Sequence, residues 1–223
     1  VRRAQSACWE ASQANPADPV PHLGLLALAC ARRTFTEGPA ACPIPGPWSE
    51  FFDVWRIDPG NREAAHRMLG AIAASGAGGR VLDAQMFARW IASFPEIGPA
   101  SPVKVLPLYA LVRLWEQNSH VASAGGLPHL LWTTDAALAD IQPAWAWFRR
   151  AEPATRLVLD LSHLAHALWA AHRLDIAADV FEAIGAYGAT RPWEQVADDG
   201  VAKLVQARAQ SMLARHQIRT TTG

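Results

Sequence analysis

PATRLVLDLSHLAHALWAAHRLDIAADVFEAIGAYGATRP, residues 153–192, is the stretch on which the fold turns. Leu157, Leu161, Leu164 and Leu168 recur at i, i+4, i+7 and i+11, one apolar stripe on a helix of 3.6 residues per turn. Ala177, Val180, Phe181, Ile184 and Tyr187 repeat the pattern on a second segment. The short Arg173-Leu174-Asp175 junction favours an antiparallel pair. Two amphipathic helices back to back are the unit of a helical array, in which each pair buries its stripe against its neighbours.

Working outward, residues 195–216 read as a final helix with Val201, Leu204, Val205 and Met212 on its inner face, a polar-backed cap for the array. Toward the N-terminus, residues 129–150 are helical, with Pro143 expected to break them because proline removes a backbone donor. Gly125-Gly126 and Pro128 separate this region from a helix over 103–117, whose regular part should follow Pro107. A helix over 81–94 and the turn 75–80 come before the proline-bounded break at 95–102. Asn61 caps a helix through Ile72, and Trp48 to Ile57 forms a short one closed by Asp58-Pro59-Gly60. Residues 34–47 hold four prolines and two glycines and form a loop, either packed on the surface or a flap. Asp18-Pro19 starts a helix to about Arg33, with the carboxylate as N-cap and proline in the first turn. Residues 1–14 form another, burying Ala4, Cys8 and Ala11. The expected fold is all-α, with antiparallel helix pairs stacked as an α-solenoid in one domain, 1–223.

Composition narrows the functional classes. Hydrophobic residues make up 51% and charged residues 18%, too apolar and too weakly charged for disorder. Lys plus Arg equals Asp plus Glu at 20 each, so no net field draws phosphate backbones, and nucleic acid is not an expected partner. No apolar run approaches the roughly 20 residues of a membrane span. Cys8, Cys30 and Cys42 form no CxxC pair, and an odd count fits a reducing cytoplasm better than a disulfide framework. The chain begins at valine, which reads as an internal or trimmed segment with sequence upstream.

LAHALWAAHRLDIAADVFEAIGAY resembles a tetratricopeptide repeat, with Ala177 four residues before Phe181 in the second helix and an apolar Leu164-Ala165 pair in the first. VWRIDPGNREAAHRML is similar to a junction between two such repeats, with Asp58-Pro59 as the turn. The chain also resembles actinobacterial helical proteins that carry runs like DPVPHLGLLALA, GPWSEFF and DLSHLAHALW. The resemblance implies a repeat fold and the binding of peptides or protein surfaces in a concave groove, without a reaction.

Two spacings could carry chemistry. Asp160-x-x-His163-x-x-His166 places a carboxylate and two imidazoles on successive turns, able to share a proton or a metal. On a helical wheel Asp160 lies at the edge of the leucine face, His163 further round and His166 nearly opposite, so one metal would not take all three. Glu63-x-x-His66 has the spacing that one helix contributes to a carboxylate-bridged di-metal bundle, with Asp140, Glu116 and Glu10 as possible additional acids. Each has a structural counterpart: a hydrogen bond at a helix rim, and a first-turn acid favoured by the helix dipole. The candidate binding set is Trp169, His166, Arg149, Arg150 and Trp147, with Trp132 and Trp193 near helix ends. No GxGxxG, HExxH, GxSxG or phosphate-loop motif occurs. The expected function is a non-catalytic module binding a protein or peptide, with no metal or cofactor. The alternative is an enzyme or small-molecule binder of actinobacterial specialised metabolism, with a polar pocket near Asp160 and His163, alone or as half of a hetero-complex.

Overall fold

The computed structural model describes residues 2–74, 81–119 and 128–221; the expected turns at 75–80 and Gly125-Gly126 lie outside them. Among the described residues the regular structure is helical, with one isolated bridge between Thr36 and Gly46 as the only β pairing. The chain forms two compact units, Val1–Gly98 and Pro99–Gly223.

The first unit holds α1 (Arg2–Ala14), α2 (Pro19–Arg32), α3 (Trp48–Ile57), α4 (Arg62–Ala74) and α5 (Val81–Ala92). Two starts follow from the caps read in the sequence. Asp18 Oδ1 accepts from Val20 N at 2.9 Å, with Pro19 in the first turn. Asn61 Oδ1 accepts from Ala64 N, also at 2.9 Å. Residues 34–47 form a packed surface loop. Cys42 and Ile44 are buried, the Ile44 carbonyl accepts from Trp48 Nε1, and Thr36 and Gly46 exchange two backbone bonds. Trp48, Phe51 and Phe87 form the centre of the core, with ring centroids 5.8–5.9 Å apart. α1 adds little to it. Ala4 and Ala11 are exposed, Cys8 is half-buried, and the helix buries Ser12 instead.

The second unit holds α6 (Leu106–Ser119), α7 (Pro128–Trp132), α8 (Asp135–Arg150), α9 (Val158–Ala170), α10 (Leu174–Ile184) and α11 (Gly200–Thr221), with 3₁₀ turns at Pro102–Val105, Pro153–Thr155 and Trp193–Gln195. α9 packs against α6, α7, α8 and α10, and α10 packs against α11. Pro143 lies inside α8 without ending it, contrary to expectation. The missing donor costs one rung of the helix, while Ile141, Ala144, Trp147 and Phe148 on either side stay buried and hold the helix through it.

α9 also departs from the wheel reading. Every residue from Asp160 to Ala170 is buried, so no polar face exists for His166 to occupy. A helix enclosed on all sides needs no amphipathic stripe: Leu161, Leu164 and Leu168 mark only part of what it buries, and Leu157, the first of the expected stripe, precedes the helix and is 49% exposed. α11 differs in the opposite sense. Val201 and Val205 are 54% and 60% exposed, whereas Ala207 and Ser211 are fully buried. Small residues let α11 approach closely, and arginines fasten it to α10: Arg208 donates to the Gly185 and Phe181 carbonyls, and Arg215 pairs with Asp179 and Glu182. Cations on the last carbonyls of α10 also oppose its dipole.

Candidate functional site

The acid and base of the central helix are locked into the core. Asp160 is in the first turn of α9, where the helix dipole favours a carboxylate. Its Oδ1 accepts from the Tyr109 hydroxyl of α6 at 2.5 Å, and no part of the residue reaches solvent. His163 is 3% exposed and stacks on Tyr109, with ring centroids 3.5 Å apart. Its Nδ1 lies 2.9 Å from the Leu159 carbonyl oxygen. A carbonyl can only accept, so Nδ1 carries a proton in this contact. Asp160, Tyr109 and His163 therefore form a fixed polar knot between α6 and α9, with the phenol ring covering the imidazole.

His166, one turn further on, is 2% exposed and enclosed by indoles. Its ring centroid lies 5.0 Å from that of Trp193, 5.4 Å from Trp132 and 6.2 Å from Trp169. Trp132 and Trp193 are thus core residues. The third indole, Trp169, has one edge in the core and one on a groove.

That groove, of about 470 Å³, is lined by Trp169 and His172 from the end of α9, Leu174 from α10, and Lys203, Gln210, Leu213, Ala214 and Gln217 from α11. Gln210 Oε1 accepts from Trp169 Nε1 at 2.9 Å, and Lys203 Nζ sits 4.8 Å over the indole centroid. His172 is the turn residue. The N–H of His172 bonds to the Trp169 carbonyl and that of Arg173 to the Leu168 carbonyl, a Schellman closure of α9. This places His172 at φ 57°, a left-handed conformation ordinarily left to glycine or asparagine. The geometry sets an imidazole at the groove's edge where a smaller residue would serve the turn.

The remaining candidates are dispersed. Glu63 lies on the surface of α4, paired with Arg67 at 2.7 Å, and His66 is half-buried on the same helix. Of the acids considered alongside them, Glu10 accepts from Ser6, Glu116 pairs with Arg191 at 2.8 Å, and Asp140 is buried in α8. Among the described residues no three His, Cys, Asp or Glu side chains gather in a way that could hold a metal ion. Trp147 is buried, and Arg149 and Arg150 are exposed at the end of α8. The guanidinium that covers an aromatic face there is Arg156, 4.7 Å over Phe148. Cys42 is fully buried, and that burial, aided by the Asp83 carboxylate, pushes its thiol up to about 11, which makes it a poor nucleophile.

No protein-family model matches the chain, and no match is found among curated proteins or among solved structures. Among the described residues no helix is long and apolar enough to cross a membrane.

Sequence reasoning singled out Trp169 but missed Lys203, Gln210 and Gln217. A signal was present: the three recur every seven residues, and on an α-helix a step of seven returns to nearly the same side. Apolar periodicity does not pick them out, because the apolar residues Val201 and Val205 of α11 lie on another side of the helix.

Proposed function

We propose that this chain is a non-catalytic, tetratricopeptide-like helical module of the cytoplasm that binds a segment of another protein, with the groove of α9, α10 and α11 as its contact surface. The observation that carries this reading is the contrast in access between two sets of polar residues. A general acid or base must come within hydrogen-bond reach of its substrate, and Asp160 and His163, at 0% and 3% exposure, face one another's neighbours in a sealed core. Trp169, Lys203 and Gln210, by contrast, border open space flanked by exposed apolar side chains such as Leu213. Burying leucine and indole surface against a partner supplies the favourable term, and the polar groups around it set register.

A second cleft, of about 580 Å³ in the first unit, is larger. It supports a binding reading less well because two of its four charged lining residues are already engaged at close range: Arg32 donates to Gln5 at 2.8 Å, and Asp53 pairs with Arg56 at 2.7 Å.

Selecting a displayed random-peptide library on the full chain tests the proposal. Enriched peptides should lose binding when Leu213→Asp is introduced, with helical circular dichroism and Tm held, since Leu213 is 59% exposed and its loss leaves no cavity. Enrichment of nothing, or peptides indifferent to Leu213→Asp, removes the groove from the proposal. The rival, an enzyme or small-molecule binder built on Asp160 and His163, predicts instead a substrate whose turnover His163→Ala abolishes at unchanged Tm.

A further inference from the structure

The groove's lining has a one-sided chemistry. It contains an ammonium (Lys203), an imidazole (His172) and two carboxamides (Gln210 and Gln217), and no carboxylate. The Gln210 amide is already oriented: its Oε1 takes the Trp169 N–H, so the group left to offer is its NH₂, a donor. Lys203 has no acidic neighbour within the lining; its Nζ rests over the Trp169 ring and donates to Gln206 Oε1 at 3.2 Å. The same indole thus holds a cation on its face and aligns a donor at its edge. Next to these, Leu174, Leu213 and Ala214 supply apolar surface.

The dimensions favour a chain over a compact ligand. From Lys203 to Gln217 the lining runs about 21 Å along α11 at 1.5 Å per residue. An extended segment of about six residues covers that length. Along it the cation and the apolar residues stand apart: Lys203 lies toward one end and Leu213 and Ala214 toward the other, between Gln210 and Gln217.

Resting on the binding-module reading above, we propose that the partner is an extended segment of another protein with an internal Asp or Glu side chain at the Lys203 end and a leucine-sized side chain seated against Leu174 and Leu213. The acidic side chain accepts from Lys203, a backbone carbonyl of the segment accepts from the Gln210 amide, and the apolar side chain covers Leu213. A basic residue at the acidic position places two cations together beside Trp169 and is rejected.

Fluorescence polarisation with three labelled, end-blocked peptide pools tests this. The pools share a leucine four positions after a fixed site that is Glu, Gln or Lys, with the other positions randomised, and the probe is each pool titrated with the full chain. The Glu pool should bind about fivefold more tightly than the Gln pool, as befits a charge pair at a partly exposed site, and the advantage should shrink at high salt. Lys203→Glu should invert the order so that the Lys pool binds best, and Leu213→Asp should abolish binding of all three. Equal binding by the three pools, all lost in Leu213→Asp, overturns the acidic partner and leaves the module reading standing. No binding by any pool, or binding unmoved by Leu213→Asp, overturns both. Lys203 is only half-buried and both variants are checked for unchanged Tm, so loss of fold does not mimic either result.

Discussion

The two units of this chain solve the same packing problem with different materials. The first is an aromatic core: Trp48, Phe51 and Phe87 are fully or nearly fully buried, Phe52, Trp55, Trp90 and Phe94 extend the ring contacts, and Ser12 and Gln85 are its buried polar residues among those described. The second also buries large rings, Trp132, Trp147, Phe181 and Trp193, but threads Asp140, Asp160, Ser162, His163 and His166 between them. An apolar core tolerates several arrangements of similar energy, whereas a buried polar group is satisfied only where its partners are. The difference teaches that chemistry-bearing residues clustered on one helix can serve to fix how that helix sits. In the second unit the polar residues orient α9, and the groove proposed for recognition lies outside them, along α11.

The contrast can be broken most forcefully in the first unit. Phe87→Ala removes a ring that contacts Trp48, Phe51 and Trp90 and should cost about 3–5 kcal/mol by chemical denaturation. A loss below about 1 kcal/mol would show that the aromatic cluster is not what holds that unit.

In the second unit Tyr109→Phe preserves the ring over His163 and removes only the hydroxyl donated to Asp160. A buried acceptor deprived of that donor should cost about 1–3 kcal/mol. A neutral outcome would mean that the knot is not specifying the packing of α9. Arg215→Ala should cost less, about 0.5–1 kcal/mol, because its partners Asp179 and Glu182 are roughly half exposed. Its signature is local: faster amide exchange in α11 with α9 unchanged.

The smallest expected effect concerns Cys42. Native protein at pH 8 should be alkylated at half-buried Cys8 well before Cys42, whose reactivity should climb only as pH approaches about 11. The sign for stability follows. The folded thiol keeps its proton to about 11 while an unconstrained one releases it near 9.0, so the unfolded state is favoured progressively as pH rises through that interval. Equal alkylation of Cys8 and Cys42 at pH 8 would contradict the packed state of the 34–47 loop.

Local signals in the sequence were legible where the chemistry is local. The Asp18 and Asn61 caps and the bounds of Trp48–Ile57 depend on residues within one turn of each other, and the structure has them where the sequence places them. What failed depended on neighbours. Pro143 was weighed by its own missing donor, without the four buried side chains around it. The polarity of Asp160, His163 and His166 suggested a solvent-facing rim, because nothing in the spacing reveals that Tyr109, Trp132 and Trp193 arrive from other elements to enclose them. The inner face of α11 was misassigned because apolar periodicity assumes that buried means apolar, whereas α11 docks through Ala207, Ser211 and two arginines. The groove was half visible for the same reason: Trp169 stood out as an aromatic, while Lys203, Gln210 and Gln217 looked like ordinary surface.

The division between a structural knot and a recognition groove is tested most directly by comparing Asp160→Asn with Leu213→Asp in one assay, measuring Tm and the affinity for the Glu-containing peptide pool well below the unfolding transition. Asp160→Asn should lower Tm and leave affinity within about twofold, since a shift under about 0.4 kcal/mol is expected for a residue that does not touch the ligand. Leu213→Asp should leave Tm in place and abolish binding. The reverse pattern, with affinity lost in Asp160→Asn at unchanged Tm and retained in Leu213→Asp, would contradict the assignment and return function to the core of α9.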